Sequence, residues 1–368
     1  MQRVTILPME RIAFLFAIAC VFAGCSTDLD INAPYKNVTV VYGLLDQRQE
    51  VQYVKINKAY LGEGDALVYA QIADSNEWAD GDITVARVHR VLNGTRVGTF
   101  DLEATTFTDR EPGVFYAPNQ KLYKFVDNTS YDPIVTSPEI VPVYLDQEST
   151  YELELVVKGE TVSATTTIVD NFSIQGPDQS LNTVMNLKDG LGYQDWIFNW
   201  NAGHDGKRYE ASYRFKYQEI RDGVVGDTMS ITRAMGRVVS SNTSGTEEMQ
   251  RTLEAEAFYS TIGSSILADP TVTNRRYCGI DLVIDVANDE FHTYLSLTEP
   301  VSGIVQDRPT YTNIVNGVGL FGSRYTREVI TKRLGGSSLA ELVNGQYTGA
   351  LLFCSSFPQD QGGSVSCP

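Results

Sequence analysis

The stretch YELELVVKGETVSATTTIV, residues 151–169, decides the fold class. Tyr151, Leu153 and Leu155 alternate with Glu152 and Glu154, the period of a strand with one wet and one buried face. Lys158, Gly159 and Glu160 interrupt the pattern, and the β-branched TVSATTTIV follows, so the two arms read as a hairpin. Upstream, ITVARVHRVL (83–92) meets TRVGTFDL (95–102) across Asn93-Gly94, a pair that tolerates the positive φ of a type I′ turn. VTVVYGLL (38–45) and VQYVKINKAYL (51–61) flank the polar DQRQE and add two more strands. Short strands, regular turns and no helical period predict an immunoglobulin-like β-sandwich over residues 38–170. The Cys–Trp–Cys pattern of true immunoglobulin domains is absent.

Residues 171–180 are predicted to be a linker broken at Gly176-Pro177. Residues 181–352 read as a mixed, β-rich domain with one or two short helices, so the chain is mainly β. DWIFNWN (195–201) puts Trp196, Phe198 and Trp200 on one strand face. YEASYRFKYQEI (209–220) puts Tyr209, Ala211, Tyr213, Phe215 and Tyr217 on one face, and Glu210, Ser212, Arg214, Lys216 and Gln218 on the other. Phe258, Ile262 and Ile266 recur every four residues beside Tyr259, an amphipathic helix. YCGIDLVIDV (277–286) returns to strand. Asn288 is placed to cap a second helix whose first turn carries Asp289 and Glu290, with Phe291, Tyr294 and Leu295 on one face. YTNIVNGVGLFGSRYTREV (311–329) enters a late strand, with Gly317, Gly319 and Gly322 permitting tight turns or close packing. Residues 353–368 form a Ser/Gly/Pro-rich tail.

The N-terminus carries a different kind of information. IAFLFAIACVFAGC, residues 12–25, is an uncharged apolar run flanked by Arg3 and Arg11. It is shorter than the roughly 20 residues of a membrane-spanning helix and has the layout of a secretory signal. Its end, Phe22-Ala23-Gly24-Cys25, resembles a bacterial lipobox, with Phe22 where Leu is commoner. The expectation is a signal peptide over 1–24, lipidation at Cys25 and a tether over 25–37 that holds the protein to a membrane by its acyl chains. Asp28 and Asp30 in the tether resemble the signal that sends some lipoproteins to the outer face of the outer membrane, so an outer-membrane, surface-exposed location is expected.

The 368-residue chain carries a formal charge of −17, which argues against a nucleic-acid partner, whose phosphates require a basic footprint. Of five cysteines, Cys20 falls in the signal and Cys25 at the lipobox. Cys354 and Cys367 bracket the tail and are either bridged, closing a small loop, or free; Cys278 reads as a small buried apolar residue.

The order of VVYGLLD, VKINKAYLGEGDA, the closing hairpin 151–169, YEASYRFKYQE, FHTYLSL and NIVNGVGLFGS resembles a group of Bacteroidota outer-membrane lipoproteins defined by domain of unknown function 4249. The resemblance covers nearly all of the chain after Cys25, and Asn313–Ser323 is its most specific part. It implies a partner, a TonB-dependent outer-membrane transporter, and a role in capture or handover at the cell surface.

The residues give little chemistry. Asp74, Asn76, Asp80 and Asp82 are oxygen ligands of the kind Ca2+ takes, but the EF-hand order fails and a plain turn is expected, so no metal site is assigned. His89, His204 and His292 lack partners at zinc spacing, and His89 and His292 are expected at the surface or its boundary. No nucleophile elbow, P-loop or dinucleotide fingerprint occurs. Glu219 is expected on a solvated strand end. Trp196, Trp200, Tyr213 and Tyr217 could line a peptide or glycan cleft, with core the favoured reading. A non-catalytic binding or accessory protein without cofactors is expected; the alternatives are a structural or adhesive envelope protein and, behind it, a surface hydrolase.

Overall fold

A computed structural model describes residues 38–59, 65–136, 139–176, 183–299, 310–360, 362 and 364–367. The expected signal peptide, tether and Cys25, and residues 177–180 of the expected linker, lie outside the described residues. In chain order the elements are β1 (Val38–Leu45), β2 (Val51–Ala59), α1 (Ala66–Ala70), α2 (Ala73–Asn76), β3 (Ile83–Leu92), β4 (Thr95–Asp101), β5 (Glu103–Phe107), β6 (Gln120–Val126), β7 (Ile134–Thr136), β8 (Glu139–Val141), β9 (Thr150–Val157) and β10 (Glu160–Thr167). There follow β11 (Ile174–Gly176), β12 (Val184–Met185), β13 (Trp196–Asn201), β14 (Arg208–Arg221), β15 (Val224–Val239), β16 (Glu248–Leu253), α3 (Ala255–Ser265), β17 (Asn274–Ala287), α4 (Asp289–Thr298), β18 (Gly317–Leu334), α5 (Gly336–Asn344) and β19 (Phe353–Ser355). The chain is mainly β, as its patterning predicts.

The first region is a β-sandwich. One layer runs β1-β2-β6-β5 and the other β10-β9-β3-β4. Val41, Leu45, Val54 and Phe125 of the first layer meet Val88, Tyr151, Leu155 and Val162 of the second in one core. The hairpins form where the turn residues dictate. Asn93 and Gly94 take φ 49° and 76°, Lys158 and Gly159 take 49° and 83°, and Asp222 and Gly223 take 50° and 80°. Positive φ at both positions gives the turn a twist that matches the flanking strands. Sequence periodicity missed α1 and α2, because helices of five and four residues are too short to show a 3.6-residue repeat.

A second core lies beyond Val169. The five β14 residues expected on one face, Tyr209 to Tyr217, are all buried, and Tyr213 and Phe215 pack against Phe258 of α3. Among the described residues this region holds three helices, α3, α4 and α5, rather than one or two.

The two cores share one sheet, ordered β15-β14-β17-β18-β1-β2-β6-β5. The join is β18. Its first residues, Gly317–Ser323, pair in parallel with Thr39–Leu45 of β1. From Arg324 onward it pairs antiparallel with β17, Arg324 opposite Ala287 and Lys332 opposite Ile280. Phe321 therefore sits in the sandwich core while Tyr325 and Val329 sit in the second. The two cores therefore do not follow the expected stretches 38–170 and 181–352: Ile314 and Phe321 belong to the first core and Val169 to the second.

Glycine makes the join possible. Gly319 has φ 120°, and a Cβ there would lie 1.9 Å from the Val41 carbonyl oxygen. A Cβ on Gly317 would lie 2.8 Å from the Thr39 oxygen. Asn313 completes the crossing: its Oδ1 accepts from the Phe321 N–H at 2.9 Å and its Nδ2 donates to the Phe321 carbonyl at 2.6 Å. Val315 exchanges backbone hydrogen bonds with Ser163, tying the same loop to β10.

Asp170 lies at the seam, its N–H donating to the His204 carbonyl. Its Oδ1 is buried without a hydrogen-bond partner among the described residues. Burial pushes its carboxyl from the ordinary 3.8 to about 6; His204 opposes the shift and Asp205 adds to it.

Gly319→Ala should cost at least about 3 kcal/mol in urea denaturation, because strain and a backbone collision add. Gly81→Ala, with φ 91° and nothing within 4 Å of the new Cβ, should cost only about 1 kcal/mol. Equal losses would contradict the account of the crossing. For Asp170 the folded pKa is raised, so its contribution to stability grows as pH falls through 6 towards 4. Asp170→Asn should stabilise the protein at pH 7.5 by about 1 kcal/mol, discounted for partial exposure, and flatten the melting temperature between pH 4 and 7.

Candidate ligand cleft

The helix α4 lands on the polar face of the shared sheet because its N-terminus is pinned there. Asn288 is buried, its Oδ1 accepts from the Phe291 N–H, and its own N–H donates to the Ser323 carbonyl. Its Nδ2 donates to Thr166 Oγ1 at 2.8 Å and to Glu290 Oε2 at 2.6 Å. The predicted cap is thus also a clamp between β10, β18 and α4. At the other end Glu299 receives hydrogen bonds from Arg237 and Arg208, which hold its carboxyl down at about 2. Tyr294 meets Tyr42 of β1 edge-to-face.

Between the pinned ends lies a cleft of about 450 Å³, walled by Phe291 and Leu295 of α4 and floored by the sheet. An adjoining hollow of about 300 Å³ shares Glu210 and Asp285 with it. The strand register explains the floor. Arg237, Glu210, Asp285 and Thr326 form one row across β15, β14, β17 and β18, and Arg208, Ala287 and Arg324 form the next. Like charges directly opposite on neighbouring strands repel, so Glu210 beside Asp285 needs compensation. Arg208 Nε donates to Glu210 Oε1 at 2.6 Å, and Thr326 Oγ1 donates to Asp285 Oδ1 at 2.7 Å.

Arg208 is the unusual member. It is only 6 % exposed and ion-paired to both Glu210 and Glu299, yet its Nη1 has no hydrogen-bond partner among the described residues. A buried guanidinium N–H left unpaired is costly, so Arg208 depends on its two carboxylate partners to stay where it is. With one apolar wall and a floor of mixed charge, the cleft suits an amphipathic ligand bearing carbonyl, carboxylate or hydroxyl groups.

The residues singled out from sequence do not gather here. Trp200, Tyr213 and Tyr217 are core residues and Trp196 packs at the core margin. Glu219 corrects the expectation of a solvated strand end: its side chain is 12 % exposed and pairs with the buried Arg275 at 3.0 Å and with Arg221 at 2.6 Å. Arg275 also donates to the carbonyls of Leu351 and Leu267, so Glu219 supplies the counter-charge that a buried arginine needs. His89 is buried rather than at the surface, held by Thr99 at 2.9 Å and by Glu154 at 2.7 Å, side chains of neighbouring strands that cover its face. His204 is exposed and paired with Asp205. His292 is half-buried on α4, where burial lowers its pKa.

Asn76 folds back onto the carbonyls of Tyr69, Ala70 and Ile72, Asp80 pairs with Lys121, and Asp82 pairs with Lys158. Among the described residues no three His, Cys, Asp or Glu side chains form a metal-binding group. Cys354 and Cys367 are joined in a disulfide, which fixes the tail beside β19. Cys278 is a free thiol of intermediate exposure, less buried than expected.

Sequence reasoning identified the polar face of β14 and the apolar face of α4 but could not bring them together. The cleft's residues come from three strands and a helix, and only the tertiary register makes them neighbours.

No protein-family model matches this chain, and no curated protein matches it. Among solved structures, the C-terminal globular domain of an oligosaccharyltransferase from Pyrococcus abyssi aligns at 12% identity and a TM-score of 0.21, over 57% of this chain and 47% of that one. This chain thus spans about half the length of that domain, and a likeness so slight carries no argument about function.

The clamp on α4 is testable. Arg208→Met should lift the Glu299 carboxyl part of the way from about 2 towards the ordinary carboxylate range, read by carboxyl NMR titration, with Arg237 still holding it. The same variant should lose about 1–3 kcal/mol of stability, since Glu210 and Glu299 lose a partner but stay partly solvated. A Glu299 titration identical to wild type would remove the clamp from the account.

Proposed function

We propose that this chain is a membrane-tethered, non-catalytic binding protein of the cell envelope, working beside a TonB-dependent outer-membrane transporter. Its ligand is a peptide or glycan held under α4. The observation that carries the binding role is the cleft under α4, with Phe291 and Leu295 as an apolar wall over a floor that carries Arg208, Glu210 and Asp285. The tethered location is supported by the basic, apolar and small-residue order ending at Cys25, and the transporter partnership by the resemblance of the chain, above all Asn313–Ser323, to envelope lipoproteins. A non-catalytic reading fits the two facing carboxylates, because Glu210 is engaged by Arg208 and Asp285 by Thr326.

The full chain expressed in a Bacteroidota host should fractionate with the outer membrane and retrieve a β-barrel transporter under mild detergent. Cys25→Ser should move it to the soluble fraction. On arrays of peptides and oligosaccharides, wild type should retain ligands that Arg208→Met loses, with both proteins folded by circular dichroism. Unchanged fractionation of the Cys25 variant, or identical array profiles, would contradict the reading.

A further inference from the structure

One end of the ten-stranded sheet is β15, whose outer side pairs with no described strand. It is 16 residues long and exposed along most of its length. An edge of this kind is a template for another strand, and proteins usually blunt it with proline, lysine or bulges. Val224–Val239 contains neither proline nor lysine. Bulges occur near Gly226 and at Met235, and between them Thr228–Ala234 runs in unbroken register against β14. Seven consecutive residues therefore present a regular edge. Met229 and Ile231, opposite the core-facing Tyr217 and Phe215, are only partly buried there.

The sequence of this edge complements itself. If two copies are laid antiparallel with Ser230 on the two-fold axis, Asp227 faces Arg233 of the second copy, Thr228 faces Thr232 and Met229 faces Ile231. Hydroxyl, apolar and opposite-charge pairs of this kind stabilise neighbouring strands, and each occurs twice by symmetry. Centring on Met229 instead puts Asp227 opposite Ile231, and centring on Ile231 puts Arg233 opposite Met229, so both lose the ion pair. Neither Asp227 nor Arg233 forms an ion pair with another described residue of its own chain.

We infer that this chain forms a two-fold homodimer in which the β15 strands pair antiparallel about Ser230, so that one sheet runs through both copies. The pairing covers the half-buried Met229 and Ile231 and satisfies the exposed edge. The contact is narrower than the roughly 800 Å² per partner of a standard stable interface, so the dimer is of modest affinity and reversible.

Disulfide trapping in cells expressing the full chain tests this. Ser230→Cys should give a covalent dimer on mild oxidation, whereas Thr95→Cys, exposed on a distant strand, and wild type, which keeps Cys278, should not. Adding Asp227→Arg to Ser230→Cys should cut the dimer yield about tenfold, through like charges facing each other at two symmetric places. Adding Arg233→Asp as well should restore it. No dimer above the Thr95→Cys control, a charge reversal without effect, or no recovery in the charge swap would each overturn the inference.

Discussion

The parallel pairing of Thr39–Leu45 with Gly317–Ser323 is the constraint on which the architecture depends. A strand shared by two cores must cross from one packing environment to another without breaking its hydrogen-bond ladder. It does so within a few residues: Phe321 is locked into the sandwich, and Tyr325, four residues on, belongs to the second core. The approach of β18 to β1 is close enough that a side chain at 319 would meet backbone. Gly-x-Gly at 317–319 is therefore a packing requirement, and Asn313 supplies from its side chain hydrogen bonds that no described strand gives to Phe321 on that side.

The same crossing creates the cleft. Ser323, the last β18 residue paired to β1, accepts from the Asn288 N–H with its carbonyl and from the Val169 N–H with its hydroxyl oxygen. One residue position thus fixes the start of α4 and the exit of the sandwich. With α4 pinned at Asn288 and clamped at Glu299, Phe291 and Leu295 are held above the charged rows of β14, β17 and β18.

Local patterns were legible in the sequence because local chemistry decides them. The alternation of β14, the four-residue repeat of α3, the Asn93-Gly94 turn and the Asn288 cap all formed as read. What the sequence hid depends on partners far away in the chain. The glycines at 317 and 319 could be read only as tight turns or close packing, since Val41 and Thr39 lie almost 280 positions earlier. Glu219 looked solvated because the arginine that buries it, Arg275, belongs to another strand. His89 was misplaced for the same reason, its polar cover coming from Glu154 and Thr99. The cleft was invisible because it is a property of register: Arg237, Glu210, Asp285 and Thr326 become one row only when four strands align.

Native-state hydrogen exchange along β18 tests the central claim most directly. If one strand makes the two cores a single cooperative unit, the amides of Leu320–Ser323 and of Tyr325–Val329 should open with the same free energy and the same dependence on denaturant. Two separated free energies, with the sandwich half opening while the other stays protected, would mean that the cores fold independently and that β18 merely touches both.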